Sequence, residues 1–304
     1  MSKTNIDKAP VHIPVMVQEV ISYLSPARGD DYLDLTAGYG GHASAVASLV
    51  ELDTVTLVDR DEKAVEALSK LGGAKIIHAD FLSASRMLAT DGKTYNMILA
   101  DLGASSLHLD EAGRGFSFSR SGPLDMRMDQ RQADTAADLV NHASQAELAR
   151  LLADYGQEAR AGKIARAIVT SRPITSTGQL ADIVQSAVPR FLARKKKIHP
   201  ATKTFQALRI AVNDELNQLE QSLPLWERLL APGGRLVVIS FHSLEDRAVK
   251  QYFAQNAGDR YDCELRLLTK KPVVASKDET VSNPRARSAK LRAVAKIKTK
   301  KGSA

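Results

Sequence analysis

Cysteine is almost missing from this chain of 304 residues, where Cys263 stands alone. A single thiol excludes an internal disulfide and a cysteine cluster for zinc, which suits a reducing compartment, and Cys263 itself reads as a packed thiol. No apolar run approaches the roughly 20 residues of a membrane-spanning helix. The first 27 residues hold no arginine and no uninterrupted apolar stretch, so neither a transit nor a secretory signal is evident and a cytoplasmic location is expected. Internal repeats are lacking, and no grouping of residues resembles a metal site. Acids are lacking locally: Val281 to Ala304 carries eight Lys and Arg residues but no Asp or Glu. Those eight cations exceed the formal net charge of +7, so the other 280 residues are close to neutral and the overall basicity belongs to the tail. A second basic focus, Arg190 to Lys197, has five cations in eight residues. Two separate foci favour a phosphate-bearing partner over solvated surface.

What the chain does have, near its start, is the string Y-L-D-L-T-A-G-Y-G-G-H, Tyr32 to His42. It reads as a strand end, a glycine-rich turn and an alanine-rich helix. Gly38, Gly40 and Gly41 permit positive φ and remove the β-carbons that would block a ligand, while the helix aims unpaired N–H groups at it. An acid follows on schedule, because Asp59 ends a second apolar strand predicted over Thr54 to Val58, where a carboxylate can accept from ribose hydroxyls. The glycines alone do not name the cofactor, since G-Y-G-G-H-A also satisfies a dinucleotide fingerprint. Context favours S-adenosylmethionine. It has no pyrophosphate for the helix N-terminus, and its cationic groups are better served by carboxylates such as Asp34. Two more predicted strands, Ala74 to Ile77 and Asn96 to Ala100, lead to Asp80-Phe81 and to Asp101. Polar residues thus gather at the C-terminal ends of successive strands, where open parallel sheets bind ligands.

Strand and helix signals alternate from Asp31 to about Asp101 and then the strands stop. From Ala112 to Ala201 the pattern is helical or irregular. Ser144 and Glu147 form a capping-box signature, Gly156 is placed to end that helix, and Thr177 precedes a further apolar stripe. An amphipathic helix is predicted over Thr202 to Glu220, followed by a turn at Ala231 to Gly234, a strand over Arg235 to Phe241 and a helix over Leu244 to Asn256. Strand-like runs at Glu264 to Thr269 and Leu291 to Ile297 close the chain. The expected architecture is an α/β sheet domain, residues 1–111 and 202–304, interrupted by an all-helical insertion at 112–201.

Nine strings in order resemble one family. They are H-I-P-V-M (His12 to Met16), G-G-H (Gly40 to His42), D-R-D (Asp59 to Asp61), D-L-G-A-S-S (Asp101 to Ser106), R-G-F-S-F (Arg114 to Phe118), G-P-L-D-M-R-M-D (Gly122 to Asp129), H-P-A-T-K-T-F-Q-A-L-R-I (His199 to Ile210), I-S-F-H-S-L-E-D-R (Ile239 to Arg247) and N-P-R-A-R-S (Asn283 to Ser288). Together they are similar to the bacterial small-subunit ribosomal RNA cytosine-N4 methyltransferases of the MraW type. That resemblance implies a Rossmann-like class I S-adenosylmethionine-dependent sheet. It also implies N4-methylation of a cytidine in the decoding (P-site) region of 16S ribosomal RNA, with that RNA or the assembling 30S subunit as partner. Gly40, Gly41, His42, Asp59, Phe81 and Asp101 are the implied cofactor contacts, with Phe81 against adenine. His108 stands where the family commonly has a glutamine that touches the cofactor, and the turn reads D-L-T-A-G where D-G-T is commoner. A methyltransferase for another nucleic acid or a protein, an NAD-dependent oxidoreductase and a noncatalytic RNA-binding module are the competing readings; a homodimer is left open.

Methyl transfer to an exocyclic amine is an in-line displacement in which positioning and exclusion of water supply much of the acceleration. The cytosine amine is a poor nucleophile because its lone pair is delocalised into the ring. An acceptor for its N–H helps it rehybridise as charge develops, and Asp101 is the first candidate, His242 the second. The base must also be unstacked. Phe116, Phe118 and Phe241 are candidate stacking partners, and Arg114, Arg127 and Arg209 candidate forks for phosphate or base.

Overall fold

The computed structural model describes residues 14–105, 109–189, 199–258 and 263–297. They fall into two compact units. One holds the described residues up to Leu102 and from Glu220 onward; the other runs from Gly103 to Leu219.

The first unit is built on a single sheet of β1 (Tyr32–Asp34), β2 (Val55–Asp59), β3 (Lys75–His78), β4 (Tyr95–Asp101), β5 (Leu230–Ser240), β6 (Leu265–Leu267), β7 (Val273–Val274) and β8 (Lys290–Lys296). The order is β3-β2-β1-β4-β5-β8-β6, with β7 also on β8. Strands β1 to β5 run parallel, whereas β8 is antiparallel to β5, β6 and β7. The central strands are buried nearly end to end, as continuous runs such as Val-Val-Ile in β5 require of a sheet covered on both faces. Helices α1 (Val17–Leu24), α2 (Gly41–Ala47), α3 (Glu62–Leu68) and α4 (Phe81–Thr90) alternate with the first strands. Val20, Leu24, Val46 and Leu68 join Tyr32, Leu57, Met97 and Ile239 in one core.

This order places the site. The chain moves from β1 to β2 and β3 on one side, and from β4 to β5 on the other, so the topological switch lies between the C-terminal ends of β1 and β4. A dinucleotide fold of the common type continues β5 into a sixth strand; here antiparallel β8 occupies that place.

The predicted turn at 231–234 lies inside β5, where Leu230 pairs with Tyr95 and Arg235 with Met97, so those four residues bulge from the ladder. Gly234 is required there, since a β-carbon would sit 2.8 Å from the Ala231 carbonyl oxygen.

In the second unit, α5 (Ala136–His142), α6 (Gln145–Asp154), α7 (Ala161–Thr170), α8 (Thr177–Ala187) and α9 (Thr202–Asn213) enclose a core of Leu124, Val140, Leu148, Leu152, Ile164, Ile168, Leu180 and Leu208. The Ser144–Glu147 capping box is formed at α6. For α8 the cap is Ser176, not Thr177, whose hydroxyl instead accepts from the Gly122 N–H. Gly156 is needed for close approach, because a β-carbon would lie 2.7 Å from the Leu152 and 2.8 Å from the Lys203 carbonyl oxygens. The sequence-based boundaries need correction. Phe205, Ala207 and Leu208 of α9 belong to this core, so the helix assigned to the sheet domain packs with the helical unit. The long helix predicted over Thr202 to Glu220 is two helices, α9 and α10 (Glu215–Leu229), broken at Asp214, which is left-handed at φ 50°. Asp tolerates that conformation better than most residues. Buried Asn213 fixes the break: Oδ1 accepts from the Met128 N–H at 2.8 Å, and Nδ2 donates to the Met126 carbonyl at 2.8 Å.

Candidate active site

Four strand ends bring polar groups together in the first unit. Asp34 ends β1, Asp59 ends β2, Asp101 ends β4 and Ser240 ends β5, with α11 (Ser243–Asn256) following. Parallel register makes them neighbours: Asp34 lies beside Leu57 and Leu99, Asp59 beside His78, Asp101 beside Ile239.

The glycine turn bridges β1 and α2. Gly38 and Gly40 adopt φ of 53° and 82°, and the Gly38 N–H donates to Asp59 Oδ2 at 2.7 Å. Asp59 Oδ1 accepts from the Asp61 N–H at 2.8 Å. The carboxylate is therefore fixed in place at the end of β2. Gly41 serves a different purpose from the positive φ expected of it. Its β-carbon would lie 3.0 Å from Pro14, so glycine lets the segment before α1 cross the turn.

Next to the turn lie two acids, buried Asp34 and half-buried Asp101. Asp34 accepts from the Tyr32 hydroxyl at 2.9 Å and from the Thr36 N–H at 3.1 Å. Burial pushes its pKa up to about 6. Asp101 is pushed further, to about 7, by burial and then by the Glu245 charge. Its Oδ1 is buried with no hydrogen-bond partner among the described residues. On the other oxygen, Oδ2 lies 3.7 Å from His42 Nδ1. His42 Nε2 is 2.8 Å from the Val15 carbonyl oxygen, which can only accept, so Nε2 carries the hydrogen and Nδ1 presents a lone pair. Burial lowers the pKa of His42 and keeps the ring neutral. Two acceptors thus face one another, and Asp101 Oδ1 waits for a donor. A cationic or N–H-bearing ligand fits this donor-poor surround. A diphosphate does not.

Phe81 heads α4, whose N-cap Asp80 accepts from the Ser83 N–H at 2.8 Å. The half-buried ring packs edge-on to Trp226 at 5.7 Å between centroids, which fixes its plane. His242 is the N-cap of α11. Its Nδ1 accepts from the Glu245 N–H at 3.3 Å, while Glu245 Oε2 accepts from the Phe241 and His242 N–H groups at 2.8 and 3.3 Å. The histidine lone pair is spent on the cap. His242 therefore does not offer a free acceptor, and Asp101 does. Phe241, beside it, is partly buried and packs against the sheet core.

The remaining expected residues lie in the second unit, where their environments differ from those anticipated. Arg114 is buried and donates to the Arg127 and Met128 carbonyls at 3.1 and 2.9 Å. Arg127 forks onto Asp125 at 2.9 and 2.8 Å. Arg209 forks onto Glu215 at 2.8 Å through both nitrogens. These guanidinium groups brace their own loops and helix ends, which replaces the expectation of forks held out to phosphate. Phe116 is a core residue at 6% exposure and so does not offer a stacking face. Phe118 packs against the tilted His199 ring at 4.7 Å between centroids and edge-on to Phe205 at 4.8 Å. His108 and the Arg190 to Lys197 run lie outside the described residues.

Three side chains were not singled out from sequence: Tyr32, Thr36 and Glu245. Tyr32 was accessible, since two residues apart on a strand means one face, and H-S-L-E spells a capping box around Glu245.

Sheet order, glycine turn and acidic strand ends define a Rossmann-like methyltransferase. The chain matches the MraW methylase family over residues 9–297, and it belongs to that family. It is 47% identical over 297 residues to the ribosomal RNA small subunit methyltransferase H of Acidobacterium capsulatum, covering 94% of this chain and 98% of that protein. The protein of the same name from Cyanothece sp. is 47% identical over 310 residues, covering 99% and 100%. Among solved structures, an rRNA methylase from Streptococcus thermophilus aligns over 93% of this chain and 94% of its own, with a TM-score of 0.41 and 10% identity. No described helix is long and apolar enough to cross a membrane.

Proposed function

We propose that this protein methylates small-subunit ribosomal RNA, placing a methyl group on the N4 amine of a cytidine in the decoding region. S-adenosylmethionine supplies the methyl group, already activated on a sulfonium. Membership of the MraW methylase family and similarity to ribosomal RNA small subunit methyltransferases support the reaction class and the RNA. The position and the atom rest on the string-by-string resemblance. Within the site, the single observation that carries the reading is Asp101: half-buried, at the switch point, with a buried Oδ1 that has no hydrogen-bond partner among the described residues.

The chain's own groups divide the work. Asp59, held by the glycine turn at the end of β2, is placed to accept from ribose hydroxyls. The Gly40 and Gly41 main chain lines the cofactor at the head of α2, and Phe81, braced on Trp226, offers a face to adenine. Asp34 and Asp101 provide negative charge for an amino group or a developing cation. Asp101 Oδ1 accepts an N–H of the amine, which concentrates the nitrogen lone pair toward the methyl and later takes the proton. A carboxyl tuned to about 7 is suited to that duty near neutral pH. The helical unit and the Arg190 to Lys197 run carry RNA recognition, mainly through phosphate, whereas the other basic focus is in part committed to the fold: Lys290 and Arg292 of β8 pair with Asp246, and buried Lys296 donates to the Glu227 carbonyl.

Mass mapping of methylated nucleotides in small-subunit RNA, from cells with and without the protein, tests the reading. One N4-methylcytidine in the decoding region should vanish without it. Loss of a different modification, or of none, would contradict the assignment.

A further inference from the structure

Asp101 is held by more than its own strand. The β1–β4 ladder ends at the pair Asp34 and Leu99, with the Leu35 N–H donating to the Leu99 carbonyl. Beyond that point β1 turns away and leaves the last residues of β4 without a neighbour on that side. Thr36 fills the gap with its side chain. Its hydroxyl oxygen accepts from the Asp101 N–H at 2.6 Å, while its own N–H donates to Asp34 Oδ1 at 3.1 Å. One residue therefore fixes the main chain of half-buried Asp101 and the side chain of buried Asp34, across the topological switch.

We propose that Thr36 is a positioning residue for methyl transfer, setting Asp101 through the hydrogen bond to its main-chain N–H. The proposal rests on the reading of Asp101 as the acceptor for the amine. Three features support it. A threonine χ1 is stiff because Cβ is branched, so the hydroxyl is a rigid substitute for a ladder carbonyl. Removing it would strand a part-buried N–H, and the backbone of Asp101 would have to shift to find another partner. Only the other edge of this strand end is secured independently, by the Leu102 N–H on the Ile239 carbonyl. Displacement of an acceptor by a fraction of an ångström is costly when catalysis depends on placement.

The test is single-turnover methyl transfer to small-subunit RNA at saturating cofactor, with S-adenosylhomocysteine affinity measured alongside by calorimetry. The variants are Thr36→Val, Thr36→Ala, Thr36→Ser, Asp101→Asn and the double variant Thr36→Val/Asp101→Asn. Valine and alanine should each lose roughly tenfold in rate, the order expected for one lost hydrogen bond and a misplaced group. S-adenosylhomocysteine affinity should fall by less than the rate, because the Thr36 N–H to Asp34 survives both changes, and saturating cofactor removes that part of the loss. Serine should restore most of the rate. The double variant should be no slower than Asp101→Asn alone, as coupled residues require. Wild-type rates in valine and alanine beside a slow Asp101→Asn overturn the proposal alone, as do multiplying losses in the double variant. A wild-type rate for Asp101→Asn overturns the acceptor reading, and the proposal with it. Where valine misfolds, alanine decides; loss of the fold in both assigns Thr36 a purely structural role and overturns the proposal.

Discussion

His42 Nδ1 and Asp101 Oδ2 lie 3.7 Å apart with no proton on the imidazole nitrogen to join them. The Val15 carbonyl dictates this by holding the other ring nitrogen as the donor. A histidine beside an aspartate usually suggests an ion pair. Here burial lowers the histidine and raises the aspartate, so neither charge is favoured. Once Asp101 is ionised the pair presents acceptors only and is arranged to receive a donor, and the first two predictions below follow from that titration.

Stability should respond to pH with a definite sign. In the folded protein Asp101 keeps its proton up to about pH 7, whereas its ordinary value is 3.8. Between these values the native state binds more protons than the unfolded chain, so this group's contribution to stability falls as pH rises. Asp101→Asn removes the titration. The variant should gain in Tm relative to the wild type as pH goes from 5 to 8, a trend thermal unfolding at several pH values would reveal. A gap that stays constant would show that Asp101 is not buried in this way.

Ligand affinity should follow the same groups. A ligand carrying an ammonium group meets Asp34 and Asp101 best when both are ionised, so its binding should tighten between about pH 6 and 7 and release protons. Calorimetry of S-adenosylhomocysteine in buffers of different ionisation enthalpy measures the protons directly. Asp101→Asn should release fewer.

Asp59→Ala should weaken S-adenosylhomocysteine binding by tenfold or more while leaving the fold intact. The change removes the ribose acceptor and frees the Gly38 N–H that it held at 2.7 Å. Unchanged affinity would separate the glycine turn from the cofactor.

In the helical unit, Asn213→Ala should cost about 2–4 kcal/mol, since it strands the buried Met128 N–H and Met126 carbonyl that now bond to one amide. Chemical denaturation would measure it. A loss below about 0.5 kcal/mol would mean that water replaces those bonds.

The glycine turn and the acids at the ends of β1, β2 and β4 were legible in the sequence because they are local: a strand period, a turn composition, a carboxylate at the next strand's end. Arg209 was not. Six residues separate it from Glu215, and an unbroken helix would put them on different faces. Only the left-handed Asp214 swings the carboxylate back onto the guanidinium. Arg127 likewise turns onto Asp125 two residues away, beside left-handed Met126. The placement of β8 between β5 and β6 was equally hidden, because strand order depends on contacts far apart in the chain. His242 shows a motif that could be read two ways, and the capping box with Glu245 decides it.

The central claim is that Asp101 accepts an N–H of the amine during methyl transfer. Asp101→Asn preserves size and removes the charge, so single-turnover transfer to small-subunit RNA at saturating cofactor isolates that role. The predicted result is a loss of about 100-fold or more in rate, with cofactor and RNA still bound. A rate near that of the wild type at saturation would contradict the account and leave Asp101 as an anchor for the cofactor alone.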